Sequence, residues 1–196
     1  MTLVELIKTV HETLDRHDLP HAFGGALALA YYAEPRGTDD VDVNVFVDHG
    51  RAAQVTQLFE PIGYRPDRSP EEWQPPSGGV RLLSDTSPFA LDLFFSLDPR
   101  YDTVANRVGT VELAGARLPI LSPEDLAVFK MSFNRDQDWV DIGRLAAARP
   151  GLDLGYIEDQ LIGLRGPHMY PRIARLRAVV ERVRTSDPPA IDPTGE

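Results

Sequence analysis

The chain has 196 residues, of which 42% are hydrophobic and 26% charged, and its formal net charge is −10. This length suits one domain or one domain with a small helical annex, and the negative charge argues against a DNA partner. There is no cysteine, which excludes disulfides and cysteine-based zinc sites; no membrane span or secretory signal is recognisable, so we expect a cytoplasmic protein without a membrane partner.

Helix and strand patterns alternate in the first part of the chain. Apolar residues from Leu3 to Leu14 have the spacing of an amphipathic helix. The next predicted elements are a strand at 21–24 and a helix at 25–32. They are followed by a β-branched strand at 41–47 and a second helix at 51–59. The Pro- and Gly-rich stretch 65–79 predicts a long loop. Further strands are predicted at 80–83, 89–95, 108–113 and 117–121, the last two as a hairpin.

Only helices are predicted after residue 121. Ser122 and Pro123 supply a hydroxyl cap and a proline at the first helical position. The predicted helices span 126–133, 139–148, 156–164 and 172–183. The chain therefore divides into a mixed α+β part (1–121), a helical C-terminal region (122–185) and a proline-containing tail (186–196) that we expect to be disordered.

Two carboxylates follow a glycine pair near the start of the chain. Asp40 and Asp42 lie two apart on a predicted strand, so their side chains point to one side, about 6.6 Å apart at Cα, and can chelate a hard cation. Gly24 and Gly25 open a helix, where a Gly-rich turn can receive a polyphosphate. Asp92 would join them as proton acceptor only if its strand pairs beside theirs. The alternative is that Asp40 and Asp42 face solvent and that Asp92 pairs with an arginine; the pattern favours a nucleotidyl-transfer site for Mg²⁺ or Mn²⁺ and an NTP.

Other polar residues have both functional and structural interpretations. Arg36 and Thr38 could contact phosphate oxygens, and they also suit a turn cap. Lys130 lies beside the apolar stripe of its helix, where it snorkels, pairs with an acid or points at phosphate in a cleft. Asp138 and Asp141 open the next helix, a position that the helix dipole alone favours for acids.

Taken together, these motifs resemble a known family. Gly24-Gly25 with Arg36-Gly37-Thr38-Asp39-Asp40-Val41-Asp42 resembles the N-terminal motif of nucleotidyltransferase-fold proteins of the AbiEii/MenT toxin type. The stretch from Pro123 to Lys130, followed by Arg135-x-x-Asp138-x-x-Asp141, is similar to that family's later lysine and aspartate motifs. The resemblance covers roughly residues 20 to 145, with the motifs in the expected order.

The resemblance implies a DNA polymerase β-like palm in 1–121, followed by the helical region. It implies a toxin that transfers nucleotides, pyrimidines in the best-known members, onto the 3′ end of tRNA and so blocks translation, restrained by a cognate antitoxin. Asp40 and Asp42 would be the metal ligands, Thr38 and Lys130 the phosphate contacts, and Asp138 or Asp141 a supporting acid. Gln137, where many relatives have lysine, and the stretch 65–79 depart from the family pattern.

The end of the chain carries a concentration of positive charge. Residues 165–184 contain six arginines and one acid, a local charge of +5. Arg172, Arg175 and Arg182 fall along one flank of the last predicted helix, which makes them the candidate tRNA-binding surface. Solvated arginines on an amphipathic helix are the alternative.

Two further functions and one regulatory hypothesis stay open. Aminoglycoside nucleotidyltransferases modify small molecules on the same general fold, and fold does not decide the acceptor. A non-catalytic binding partner of this fold is disfavoured by the retention of Asp40, Asp42 and Lys130. A phosphate on Thr38 would add roughly two negative charges beside Asp40 and would compete with metal and triphosphate.

Overall fold

A computed structural model of the protein describes residues 1–69, 72 and 79–186. In this part of the chain, seven strands form one mixed sheet in the order β3-β4-β5-β2-β1-β7-β6. The strands are β1 (His21–Phe23), β2 (Asp40–Asp48), β3 (Arg65–Pro66), β4 (Gly79–Leu83), β5 (Ala90–Ser96), β6 (Gly109–Leu113) and β7 (Ala116–Ile120).

Helices precede, interrupt and follow the sheet. They are α1 (Leu3–Arg16), α2 (Gly25–Tyr32), α3 (Ala52–Gln57), α4 (Tyr101–Ala105), α5 (Pro123–Phe133), α6 (Asp136–Ala148), α7 (Leu154–Arg165) and α8 (Tyr170–Ser186). The start of α5 is fixed as the sequence predicts, because the Ser122 hydroxyl accepts from the Asp125 amide at 3.1 Å. The helix ends at Asn134, which adopts a left-handed φ of 62°. No helix in the described residues is both long and apolar enough to cross a membrane.

Strand pairing brings three parts of the chain together at the centre of the sheet. β2 runs parallel to β5, with Asp42 opposite Asp92. β4 runs antiparallel to β5, with Arg81 opposite Asp92. Side chains opposite one another on paired strands lie on the same face of the sheet. One row across three strands therefore carries Arg81, Asp92 and Asp42.

One hydrophobic cluster holds the sheet and the later helices together. Its members include Val43 of β2, Leu93 of β5, Val128 of α5 and Ile142 of α6, all with 0% exposure. Fully burying such an aliphatic side chain contributes about 1.5–3 kcal/mol. Helix α5 contacts α2, α6 and α7, and α8 contacts α6. The hydrophobic core includes residues on both sides of position 121. The predicted boundary between a palm (1–121) and a helical region (122–185) stays a prediction.

The sequence places most elements within a few residues, and it misses two short ones. The predicted loop 65–79 is wrong at both ends, since Arg65–Pro66 pairs with β4 and Gly79 already belongs to β4. Helix α4 was not predicted, because a five-residue helix anchored by Tyr101 and Val104 is too short for a periodic signal. The predicted helix 51–59 shortens to a 3₁₀ turn followed by α3. Residues 70, 71 and 73–78 of the predicted loop and 187–196 of the predicted disordered tail lie outside the described residues.

Candidate active site

The three predicted carboxylates lie on neighbouring strands. Asp40 and Asp42 are on β2, and Asp92 is on the adjacent parallel strand β5, directly opposite Asp42. The pairing on which the role of Asp92 depends is therefore present. The strands are held by buried residues on the opposite face, among them Val41 and Val43 at 2% and 0% exposure, so the carboxylates stand on a rigid support.

Burial raises the pKa of two of these carboxylates, Asp42 and Asp92. Burial, followed by the charges of Asp40 and Asp92, raises the pKa of Asp42 to about 7, although Lys130 lies close enough to oppose this. Burial also raises the pKa of Asp92 to about 6, which the Arg81 guanidinium only partly offsets. Both shifts mean that the ionised carboxylates lack sufficient positive charge nearby.

This donor set fits a hard divalent cation. In the described residues, no group of three or more His, Cys, Asp or Glu side chains is placed to hold a metal ion. Mg²⁺, however, is commonly bound through one or two carboxylates, with waters and substrate phosphates completing its coordination. Asp40 and Asp42 provide such a pair, and the raised pKa of Asp42 indicates a site that a cation would relieve.

The glycine pair lets helix α2 begin directly against Asp42. Gly25 adopts a φ of +52°, and a Cβ atom there would lie 1.7 Å from Asp42 Oδ2. The Gly24 amide donates to the Asp42 carbonyl at 2.9 Å. Only glycine at position 25 allows this approach. The amide end of α2 and the carboxylate consequently face the same space, where an anion and a cation could be held side by side.

Thr38 and Arg36 lie beside the carboxylates and already have partners. The Thr38 hydroxyl donates to Asp40 Oδ1 at 2.6 Å, which orients that carboxylate. Arg36 Nε donates to both carboxylate oxygens of Asp141, at 3.2 and 3.1 Å, and its Nη1 donates to the Gly37 carbonyl. The Asp40 amide also donates to the Thr38 hydroxyl, at 3.4 Å. Phosphate binding by Arg36 or Thr38 stays a prediction.

Lys130 is paired rather than snorkelling. Its side chain is 4% exposed, and Nζ donates to Asp141 Oδ2 at 2.6 Å. Burial alone would raise the pKa of Asp141, but the hydrogen bond and charge of Lys130, together with Gln137 and Arg36, hold it below its usual value. Asp141 therefore joins α5 and α6 to the segment before β2, as a positioning acid.

Asp138 has a structural partner at the start of α6. Its carboxylate accepts from the Arg135 amide at 2.9 Å and from Arg135 Nε at 2.9 Å. These contacts cap the helix, as the dipole argument predicts. Asp138 also lies 3.9 Å from Lys130 Nζ. Its predicted catalytic role stays a prediction, and its observed contacts position Arg135.

A cavity of about 400 Å³ connects these groups. Its charged end includes seven of the predicted site residues: Gly25, Arg36, Thr38, Asp40, Asp42, Lys130 and Asp138. Asp92 and Asp141 are bound to two of the cavity-lining cations, Arg81 and Lys130 respectively. The lining also includes the polar or charged residues Asp39, Asn44, Arg81, Arg135 and Gln137, and five apolar ones, Phe94, Leu121, Leu126, Phe129 and Phe133. A ligand with both a charged and an apolar or aromatic part would match this lining.

Several lining residues were not predicted from the sequence. Arg81 donates from Nη1 to Asp92 Oδ2 at 2.8 Å. Arg135, which belongs to the motif that resembles the family, has its guanidinium carbon 5.2 Å from the centroid of the Phe133 ring. Asn44 is 4% exposed, and its Oδ1 is without a hydrogen-bond partner in the described structure. The alternation along β2 could have indicated Asn44, because it lies two residues from Asp42 on the same face.

The basic helix is only partly free to bind phosphate. The Arg172 guanidinium donates to the carbonyls of Met131 and Ser132 at 2.6 and 2.9 Å, so it caps the end of α5. This differs from the expectation of a solvent-facing phosphate contact. Arg175 lies over the Trp139 ring, 4.1 Å from its centroid. Arg175 and Arg182 line a groove between α6 and α8, together with Trp139 and Val140.

Sequence comparison finds no relative, and fold comparison finds several. No protein-family model and no curated protein matches the sequence. The solution structure of the antibiotic-resistance factor ANT(2'')-Ia matches with a TM-score of 0.58 and 18% identity, over 91% of this chain and 97% of that one. The lincosamide antibiotic adenylyltransferase LnuA, bound to lincomycin, matches with a TM-score of 0.54 and 16% identity, over 74% and 96%.

A third solved structure also matches this chain. An antigenic nucleotidyltransferase-like protein from Paracoccidioides brasiliensis has a TM-score of 0.54 and 19% identity, over 91% of this chain and 92% of that one. The chain therefore has the nucleotidyltransferase fold, which confirms the predicted α+β class with a mixed sheet, flanking helices and C-terminal helices. At these identities the likeness concerns the fold alone. Membership of the AbiEii/MenT type stays a prediction.

Proposed function

We propose that this protein is a metal-dependent nucleotidyltransferase, which transfers a nucleoside monophosphate from an NTP to a hydroxyl group and releases pyrophosphate. One observation carries the proposal: the Asp40–Asp42 pair faces a cavity whose lining also contains Lys130, Arg36 and Arg135. Because the pKa of Asp42 is raised to about 7 by burial and by neighbouring carboxylates, the pair favours a divalent cation. The neighbouring cationic side chains favour a polyphosphate.

The roles of the side chains follow from their positions. Asp40 and Asp42 would hold Mg²⁺ or Mn²⁺, which stabilises the attacking and leaving oxygens of a displacement at phosphorus when bound. Thr38 keeps Asp40 oriented through its 2.6 Å hydrogen bond. The start of α2 at Gly25 and the charge of Lys130 would receive phosphate oxygens. Asp92 Oδ1, the oxygen not bonded to Arg81, would accept the proton of the attacking hydroxyl.

As acceptor we propose the 3′ end of tRNA, which makes the protein a toxin with a cognate antitoxin. The motif resemblance supports this proposal, and so does the groove that contains Arg175, Arg182 and Trp139. Asp136 belongs to that groove, while its neighbours Arg135 and Gln137 belong to the cavity. Arginine beside an aromatic ring is a common surface for single-stranded nucleic acid. An RNA end could thus extend from the groove to the carboxylates.

A small-molecule acceptor is the second candidate. Two of the matching solved structures are, by name, an antibiotic-resistance factor and a lincosamide antibiotic adenylyltransferase. The apolar wall formed by Phe94, Phe129 and Phe133 could accommodate a drug-sized molecule. The cavity also contains four cationic side chains, Arg36, Arg81, Lys130 and Arg135. Four acids of the same lining, Asp39, Asp40, Asp42 and Asp138, equal them in number, so the charge of the lining does not distinguish a cationic acceptor from a neutral or anionic one.

The deciding experiment separates the reaction from the acceptor. Purified protein is incubated with Mg²⁺, each α-labelled NTP in turn, and either total tRNA or a panel of aminoglycosides and lincosamides. Label that enters tRNA with the wild type and not with Asp40→Ala supports the proposal. Label on a drug alone supports the second candidate, and no transfer to any acceptor contradicts nucleotidyl transfer to these classes.

Substitutions in the groove between α6 and α8 test whether it binds tRNA. Arg175→Gln with Arg182→Gln should weaken tRNA binding and leave Mn²⁺ binding unchanged. Arg177→Gln is the matched control, since Arg177 is on the same helix and pairs with Glu158. Arg172 is left intact because its loss would also uncap α5. Equal tRNA affinity in all three proteins would exclude the groove as the RNA-binding surface.

We also propose Thr38 as a phosphorylation switch. Its hydroxyl donates to Asp40 at 2.6 Å, so a phosphate there would replace an attractive contact by charge repulsion. A Thr38→Glu protein should lose Mn²⁺ binding, whereas Thr38→Ser should retain it. Full Mn²⁺ affinity in Thr38→Glu would contradict the switch.

A further inference from the structure

Arg81 occupies the one side of the carboxylate cluster that faces β4. Its Nη1 lies 2.8 Å from Asp92 Oδ2 and 4.0 Å from Asp40 Oδ2. The register of β4 with β5 fixes this position, because Arg81 is directly opposite Asp92. Arg81 also lines the cavity. A guanidinium therefore stands between two of the three acids on which the proposed site depends.

The ion pair of Arg81 differs from an ordinary surface ion pair because its carboxylate partners belong to the proposed active site. Carboxylate oxygens of Asp92 and Asp40 that are turned to a guanidinium are less available to a divalent cation, and the two positive charges repel each other. The Arg81 side chain is 40% exposed, against 15% for Asp92. The acid is thus fixed in the sheet, while the long arginine side chain has room to leave it.

We propose that Arg81 is a displaceable counter-ion of this cluster. Without nucleotide, the Arg81 guanidinium neutralises Asp92 and lies 4.0 Å from Asp40, and its positive charge lowers the affinity of the Asp40–Asp42 pair for a free cation. When a cation enters together with a polyphosphate, the guanidinium exchanges the carboxylate for phosphate oxygens, which it binds with matching bidentate geometry. Arg81 thereby favours the cation–nucleotide complex over the free cation and releases the Asp92 carboxylate from its ion pair.

The nucleotide half of this inference rests on the proposed function, whereas the competition with a free cation does not. Two variants separate charge from shape: Arg81→Met removes the charge, and Arg81→Lys keeps it without the bidentate fork. Arg117→Met is the matched control, because Arg117 lies on β7 and lines a different pocket. Binding of Mn²⁺ without nucleotide is measured by electron paramagnetic resonance, and binding of each NTP with non-reacting Ca²⁺ is measured by calorimetry.

Opposite effects on the two ligands are expected. Arg81→Met should bind free Mn²⁺ about tenfold more tightly and Ca²⁺–NTP about tenfold more weakly than the wild type. Arg81→Lys should keep the weak Mn²⁺ binding, and Arg117→Met should match the wild type in both assays. Thermal melting establishes that each variant is folded.

Three outcomes would overturn the proposal. The first is an unchanged Mn²⁺ affinity in Arg81→Met. The second is a loss of both Mn²⁺ binding and NTP binding in Arg81→Met, which would indicate a purely structural role. The third is the absence of detectable Mn²⁺ binding in both the wild type and Arg81→Met. Failure of the proposed function looks different. In that case Mn²⁺ affinity rises in Arg81→Met as expected, but no acceptor receives label in the transfer assay.

Discussion

The half-buried carboxylate of Asp42 should make the metal-free protein less stable as the pH rises. Its pKa is raised from 3.8 to about 7 in the folded chain, by burial and then by the charges of Asp40 and Asp92. Between these two values the folded state holds a proton that the unfolded state has lost. The free energy of unfolding therefore falls as the pH rises through this interval, and it stays low above it.

The size of the effect follows from the same shift. Each unit of difference between the folded and unfolded pKa corresponds to about 1.4 kcal/mol, so Asp42 accounts for at most about 4 kcal/mol. Burial also raises the pKa of Asp92, to about 6. Asp92 therefore causes a smaller decrease in the free energy of unfolding, over a lower range of pH. Removing the charge at Asp42 should flatten most of the dependence and leave the part due to Asp92.

Urea unfolding in EDTA at several pH values between about 5 and about 8 measures this directly. Asp42→Asn should exceed the wild type in free energy of unfolding by about 2 kcal/mol near the lower pH limit and by about 4 kcal/mol near the upper one. Asp85→Asn, which changes an exposed acid in the β4–β5 connection, should follow the wild type. Mg²⁺ should restore stability at high pH only where Asp42 is present. Parallel curves for the wild type and Asp42→Asn would refute the reasoning.

Three other substitutions test the parts of the site. Gly25→Ala should abolish Mn²⁺ binding, because the added Cβ would lie 1.7 Å from Asp42 Oδ2. Gly37→Ala is the control, because a Cβ at position 37 would have nothing within 4 Å. Retained Mn²⁺ binding in Gly25→Ala would contradict the close approach. Lys130→Met should cost about 3–5 kcal/mol in urea unfolding, since it leaves the fully buried Asp141 without its 2.6 Å partner. A much smaller loss would mean that the other donors to Asp141 suffice. Arg172→Gln should cost about 1–3 kcal/mol by releasing the two carbonyls at the end of α5, and an unchanged unfolding curve would count against that cap.

The centre of the site could be predicted because its signals are local. Asp40 and Asp42 interrupt a β-branched run at alternate positions, and this fixes both the strand and the shared face. Gly25 is needed where α2 approaches that strand, as its φ of +52° confirms. Asp92 required one further fact, the order of strands, which no local pattern contains.

The partners of the site residues depend on tertiary contacts, and here the sequence left several possibilities. Lys130 could snorkel, pair or face phosphate, and only the packing of α6 against α5 brings Asp141 within 2.6 Å. The predicted strand 80–83 contains Arg81 but does not indicate its contact, because its partner Asp92 belongs to another strand. Arg172 has a clear helical position, but its contact with the carbonyls of α5 is set by how α8 packs.

The distribution of charge in the cavity argues that cation and polyphosphate bind together. Arg36, Lys130, Arg135 and Arg81 each have a carboxylate within hydrogen-bonding distance, whereas Asp42 takes part in none of the ion pairs found in the described residues. An anion alone would have to compete for cations that are already paired, close to an acid that lacks compensation. NTP should therefore bind weakly in EDTA and at least about tenfold more tightly with Ca²⁺ by calorimetry. Equal affinity under both conditions would mean that the paired side chains hold the phosphates unaided.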